Sequence, residues 1–160
     1  VYEGPVYLRL GRSGVPLITK EEDGFQIGKA NVLKDGEDVT IIACGVEVYE
    51  ALCAHEALKK ENISARVINL HTIKPIDKDI IIKAAKETGA IVTAEEHTII
   101  GGMGSAVSEV LAQAWPVPME FIGVQDRFGE SGDPKELFKL FGLTSDDIIK
   151  AVKKVISRKK

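Results

Sequence analysis

The sequence predicts a three-layer α/β/α sandwich around a mainly parallel sheet, and two observations carry that reading. Short runs that are almost wholly apolar or β-branched recur along the chain: Val39-Thr40-Ile41-Ile42-Ala43-Cys44, Ala65 to Leu70, Ile91-Val92-Thr93 and Met119 to Val124. Runs of this kind suit strands covered on both faces. Between and after them lie stretches with helical spacing of apolar residues, so strand and helix alternate in the manner of α/β domains.

Bulk composition sets the bounds. A chain of 160 residues, 44% hydrophobic and 28% charged, is long enough for one domain with a proper core. A net charge of −3 gives no global bias toward nucleic acid or an anionic membrane, so neither partner is expected. No apolar run approaches the roughly 20 residues that span a bilayer. Cys44 and Cys53 stand apart from each other in the pattern, which suits small buried side chains in a reducing, cytoplasmic setting better than a disulfide framework.

The elements follow in order. Pro5-Val6-Tyr7-Leu8-Arg9-Leu10 alternates like a strand, but no helix follows to cover it. Gly11 to Pro16 breaks the pattern, and Lys20-Glu21-Glu22-Asp23-Gly24 has the composition of a linker. The chain begins at Val1 rather than Met. Residues 1–23 are therefore expected to close an upstream domain and lead out of it, with a second unit over 24–160. In that unit Ala30 to Leu33 reads as a short edge strand, and a helix from about Val46 to Lys60 follows the Val39 strand. Asp77 N-caps the next helix, whose apolar face is Ile80, Ile81, Ala84 and Ala85, and Gly89 ends it. The Ile91 strand leads into Glu95, Glu96 and His97 as a polar tip, then a glycine turn and a helix from Ser105 to about Ala114. After Met119 to Val124, Pro134 suits the first turn of a short helix stopped by Gly142. Thr144 to Asp147 cap a last amphipathic helix ending near Ser157.

Candidate chemistry gathers at Ile91 to Val107, since ligands of open parallel sheets collect at the carboxyl ends of strands. Gly102 and Gly104 supply two of the three glycines of a dinucleotide fingerprint, after Gly101, with Asp126 where a ribose-binding acid would be sought. Bare backbone before a helix N-terminus can approach a phosphate, although a tight reversal alone also calls for glycine. A free-standing nucleotide-binding module is thus one reading. Glu95, Glu96 and His97 have the residue types of an acid–base group. Successive residues leaving a strand point in alternating directions, however, so a structural role is favoured over catalysis: one carboxylate caps a nearby helix or pairs across an interface while the others are solvated. Glu95, Glu96, His97, Gly101, Gly102 and Gly104 are candidates for an interface or regulatory role. No nucleophile accompanies them. His55 and His71 lack ligand-spaced partners, so no metal site is expected. Arg12 and Arg127 are single loop arginines; either suits a clamp on phosphate or carboxylate, but taken alone a solvated surface role is favoured. The residues define a fold without a self-sufficient active site, a module whose chemistry is completed elsewhere.

Four motifs then resemble, in order and spacing, the C-terminal domain of transketolase: Phe25-Gln26-Ile27-Gly28-Lys29-Ala30; Leu70-His71-Thr72-Ile73-Lys74-Pro75-Ile76-Asp77; Thr93-Ala94-Glu95-Glu96-His97 with Gly101-Gly102-Met103-Gly104; and Ser131-Gly132-Asp133-Pro134 through Phe141-Gly142-Leu143. The related domains of deoxyxylulose-phosphate synthase and the pyruvate dehydrogenase beta subunit share the Thr72 to Asp77 element and the Glu95 to Gly102 pattern more loosely, while Glu95-Glu96-His97 and the Ser131 to Pro134 loop favour transketolase. The resemblance implies a five-stranded, mostly parallel sheet with one antiparallel edge strand near Ala30. It implies that Pro5 to Pro16 end a pyrimidine-binding domain, with Arg12 at the position of an arginine that helps hold the sugar phosphate, although Gly11 stands where many members have Ser. It further implies that the whole enzyme, a homodimer of the pentose phosphate pathway, moves a two-carbon ketol unit between sugar phosphates with thiamine diphosphate and Mg. The cofactor would lie in upstream domains or a separate subunit, with none bound by this chain alone. This domain would supply scaffolding and dimer contacts and be inactive by itself.

Overall fold

Five strands form one sheet: β1 (Asn31–Lys34), β2 (Val39–Ala43), β3 (Ala65–Asn69), β4 (Ile91–Thr98) and β5 (Met119–Val124), in the order β1-β3-β2-β4-β5. The structure, a computed structural model, describes residues 2–11 and 14–159. Strands β2 to β5 are mutually parallel and β1 lies antiparallel on β3, so the edge strand expected near Ala30 has the expected direction. Every residue of the central strand β2 is buried, in keeping with its uninterrupted apolar and β-branched run.

Helices α1 (Glu47–Lys60), α2 (Lys78–Thr88), α3 (Met103–Ala114), α4 (Pro134–Phe141) and α5 (Ser145–Ile156) complete the chain. Strand alternation sends Ile41, Val92 and Ala94 toward α1 and α5, where Val48, Leu58, Ile148 and Val152 meet them. Ile42, Ile68 and Ile91 point the other way, into a second core with Ile81, Val107 and Leu111 of α2 and α3. Each such side chain contributes about 1.5–3 kcal/mol on burial, so the two cores on opposite sheet faces carry the fold. Helix α4 buries none of its residues and packs as a peripheral element.

Local signals act where they were read. Asp133 Oδ1 accepts the Lys135 amide at 2.9 Å, and Thr144 with Asp147 closes a capping box at the start of α5. Gly89 and Gly142 end α2 and α4 in the left-handed region, at φ 67° and 69°.

Asp77 does more than start α2. Its buried carboxylate accepts the Ile80 amide on Oδ1 at 3.4 Å and the Ala30 amide on Oδ2 at 3.0 Å. Lys29 Nζ stands 3.7 Å from the same group. The Phe25 ring lies 4.5 Å from that of His71, and Gly28, at φ +81°, lets the chain pass the Pro75 ring, which a Cβ would approach to 3.1 Å. The motifs Phe25 to Ala30 and Leu70 to Asp77 are therefore two halves of one joint that ties the incoming chain to the loop after β3.

Ahead of the joint, Pro5 to Leu10 forms no strand, contrary to its alternating pattern, and Tyr7, Leu8, Leu10 and Leu17 are exposed. The arm touches the sandwich through Arg9, whose Nη2 donates to the Glu96 carbonyl at 3.0 Å.

Removing the Asp77 carboxylate deletes the cap and the joint together. Asp77→Ala is expected to lower stability by about 2 kcal/mol in urea unfolding and to speed hydrogen exchange at the Ala30 amide, whereas Asp77→Asn, which keeps an acceptor, should lose less than half as much.

Candidate functional site

The carboxyl end of β4 holds the residues that the sequence singles out, but in a different arrangement from a polar tip. β4 does not stop at Thr93; it runs through Thr98, so Glu95, Glu96 and His97 are strand residues. Alternation puts Glu95 on the α3 side and Glu96 on the α1 and α5 side, while His97 is exposed. The three do not converge.

Glu95 is 2% exposed, an unusual setting for a carboxylate, and its partners explain it. Oε2 accepts the Met103 amide at 2.6 Å and Oε1 the Gly104 amide at 2.8 Å. The carboxylate thus sits at the positive end of α3 and satisfies its first amides, which is why the helix starts at Met103 and not at Ser105. The glycines make room for it. A Cβ on Gly102 would overlap the Glu95 carboxylate, and one on Gly104 would lie 2.6 Å from Thr93 Oγ1 and 2.7 Å from the Phe121 ring. Gly101 turns the chain at φ +74°, and its amide donates to Ser105 Oγ at 3.0 Å.

This geometry corrects the nucleotide-binding reading of Gly101, Gly102 and Gly104. The amides that would cradle a phosphate already hold an anion that belongs to the protein. Asp126 lies beyond β5 in an exposed turn at φ 46°. The same engagement leaves no cradle here for the diphosphate of thiamine diphosphate, and among the described residues no three His, Cys, Asp or Glu side chains are grouped to hold a metal ion. The residues at this turn do not fit that cofactor.

On the other face, Glu47, at the first position of α1, is fully buried and neither carboxyl oxygen has a hydrogen-bond partner. Burial pushes its carboxyl up to about 8, with the charges of Glu50, Glu96 and Asp147 adding to the effect. Between the ordinary glutamate range and that value the folded chain keeps a proton that the unfolded chain has released. Stability therefore falls as pH rises through this window and is regained below it. Burial, with the Glu95 charge adding to it, pushes the Cys44 thiol up to about 12, so it is no thiolate nucleophile at neutral pH. Burial lowers His71, opposed by the nearby Lys29 carbonyl.

Of the other candidates, Arg12 lies outside the described residues. Arg127 is engaged locally, by Glu130 and by the Phe141 ring 4.6 Å from its guanidinium carbon. Sequence reasoning missed Glu47. Its one signal was an acidic residue between Val46 and Val48, directly after a strand and turn that should be covered.

The structure is thus an α/β sandwich whose ordered motifs form a joint between Phe25 to Ala30 and the loop after β3, and an internally capped helix. Residues 28–148 match the family described as transketolase, C-terminal domain, and the chain belongs to that family. The 6-deoxy-6-sulfo-D-fructose transketolase subunit of Clostridium sp. (strain MSTE9) is 47% identical over 158 residues, 99% of this chain and 49% of that protein. An apulose-4-phosphate transketolase subunit from Phocaeicola vulgatus is 43% identical over 158 residues, 98% of this chain and 50% of its own length. Rat transketolase is 40% identical over 159 residues, 98% of this chain and 25% of that enzyme. A solved structure described as a split gene transketolase, inactive beta4 tetramer, superposes with a TM-score of 0.96 at 48% identity, over 99% of this chain and 52% of that one. The chain spans about half the length of the first of these relatives, or less.

If Glu95 is the built-in cap of α3, Glu95→Ala should cost about 3 kcal/mol in chemical denaturation, because two buried amides lose their acceptor, and Glu95→Gln roughly half of that. Gly104→Val, which drives a side chain into Thr93 and Phe121, should be at least as damaging. A loss below about 0.5 kcal/mol for Glu95→Ala would contradict the role.

Proposed function

We propose that this chain is the C-terminal part of a thiamine-diphosphate-dependent transketolase, supplying scaffold and assembly contacts to ketol transfer between sugar phosphates that takes place elsewhere in the enzyme. The observation that carries the reading is the internal use of the helix α3 amides by Glu95, beside surfaces that remain uncovered. Three of the four loops at the carboxyl end of the parallel strands expose a large apolar residue: Ile73 after β3, Ile100 after β4 and Phe128 after β5. The arm adds Tyr7, Leu8 and Leu10. Uncovered apolar side chains in this density belong against another protein surface.

In this reading residues 1–23 end a pyrimidine-binding domain and 24–160 form the C-terminal domain. Thiamine diphosphate and Mg are held by upstream domains or by a separate subunit. The relatives named as subunits and the split-gene structure favour a split enzyme. Glu96 and His97 belong to the interface with that upstream part, where Arg9 already reaches Glu96. Arg12 holds the phosphate of the sugar substrate, since a guanidinium forms paired, charge-assisted bonds with phosphate oxygens. No helix of the structure is long and apolar enough to cross a membrane, and a cytoplasmic setting follows from the metabolic role proposed.

The test is reconstitution. With ketose and aldose phosphates, thiamine diphosphate and magnesium, the chain alone should give no transfer, and addition of the polypeptide carrying the thiamine-binding half should restore it. Arg12→Ala in the assembled enzyme should raise KM for phosphorylated sugars at least about tenfold with little change in kcat. Turnover by this chain alone would refute the reading.

A further inference from the structure

On the sheet face away from Glu95, the charges of Glu50 on α1, Glu96 on β4 and Asp147 on α5 act on the buried carboxyl of Glu47 at the start of α1. Three of the four have partners. Glu50 Oε2 accepts the Ser145 amide at 2.7 Å and so caps α5. Asp147 accepts from Thr144 Oγ1 at 2.6 Å and from Lys150 Nζ at 2.9 Å. The carboxylate of Glu96 lies 4.0 Å from the Arg9 guanidinium, which donates to the Glu96 carbonyl at 3.0 Å. Glu47 alone is fully buried with both oxygens unpartnered. Cys44 packs into the opposite core, on the Glu95 side, as a protonated, uncharged thiol. Among the described residues, two cations pair with members of the acidic group: Lys150 with Asp147, and Arg9, on the arm, with Glu96.

We propose that this cluster is a receptor for a guanidinium, in which a proton on Glu47 and the side chain of Arg9 are alternative ways of balancing the same negative charge, so that docking of the arm and release of the Glu47 proton are linked. A buried carboxylate without a partner is too costly to persist, so the group must hold a proton or acquire a cation. Arg9 is the cation in place to serve. It is anchored to the main chain of Glu96, on the face that Glu47 shares, and its side chain is 57% exposed and therefore free to turn inward. A positive charge drawn close favours the ionised acid. By reciprocity, ionised Glu47 must hold Arg9 more tightly by the same factor. Because burial already places the Glu47 titration at about 8, the exchange falls just above neutral pH. The arm accordingly binds the sandwich more firmly as the solution becomes more alkaline, whatever reaction the upstream part performs.

The experiment follows carboxyl carbons of glutamate and side-chain nitrogens of arginine by NMR while the pH of the 160-residue chain is raised. Glu47 should titrate near 8, with the Arg9 Nε resonance moving at the same midpoint. Arg9→Gln should raise the Glu47 midpoint by about half a pH unit or more. In Glu47→Gln, a neutral stand-in for the protonated acid, the Arg9 resonance should no longer follow pH in that window. The wild type and Arg9→Gln, altered on an exposed arm, decide the matter even if Glu47→Gln fails to fold. An unchanged midpoint in Arg9→Gln, or titration of Glu47 in the ordinary carboxylate range, overturns the proposal.

Discussion

The carboxylate of Glu95 between the amides of Met103 and Gly104 fixes more of this structure than any other polar contact. It sets where α3 begins, and with it the depth at which Val107 and Leu111 enter the core shared with α2. It also imposes glycine at 102 and 104, because the helix start must lie against β4 with no room for a Cβ. A buried acid is tolerated because two charge-assisted bonds and the helix dipole offset its desolvation. The result uses up the place where an α/β domain of this type would ordinarily receive an anionic ligand.

A second carboxylate, Asp77, does comparable work for connectivity. By taking amides from both Ala30 and Ile80 it couples the start of the domain to α2. The stacking of Phe25 on His71 and the passage of Gly28 beside Pro75 complete that joint. Two motifs far apart in sequence are thus one mechanical feature, suited to holding the domain at a set position relative to whatever precedes it. The unpaired arm and the apolar loop residues then point to the kind of surface that belongs there.

Much of this was legible in the sequence, for physical reasons. β2 and β3 announce themselves because strands buried on both faces are dominated by apolar and β-branched residues. The caps at Asp77 and Thr144 and the stops at Gly89 and Gly142 are short-range chemistry that needs no tertiary context. The extent of β4 was not legible. Acidic residues at 95 and 96 look like the end of a strand unless the amides that receive one of them are known, and those lie 8 and 9 residues away across a turn. For the same reason the glycines looked like a phosphate loop: the backbone geometry is similar, and only the internal anion distinguishes the two. Glu47 was overlooked because its one local mark, an acid between Val46 and Val48, is weak; the groups that act on it lie on α5 and β4, remote in sequence. The four motifs that resemble transketolase were sufficient for the family, although none of them carries chemistry by itself.

What emerges is a lobe whose polar groups are largely spent on its own architecture, with one buried acid held in reserve. The most direct check is to titrate the chain with inorganic diphosphate while following the amide resonances of Met103 and Gly104. A helix already capped by Glu95 predicts that neither resonance moves saturably up to about 10 mM ligand. A saturable shift of both would mean that the site is open to an external anion, and would contradict the central claim.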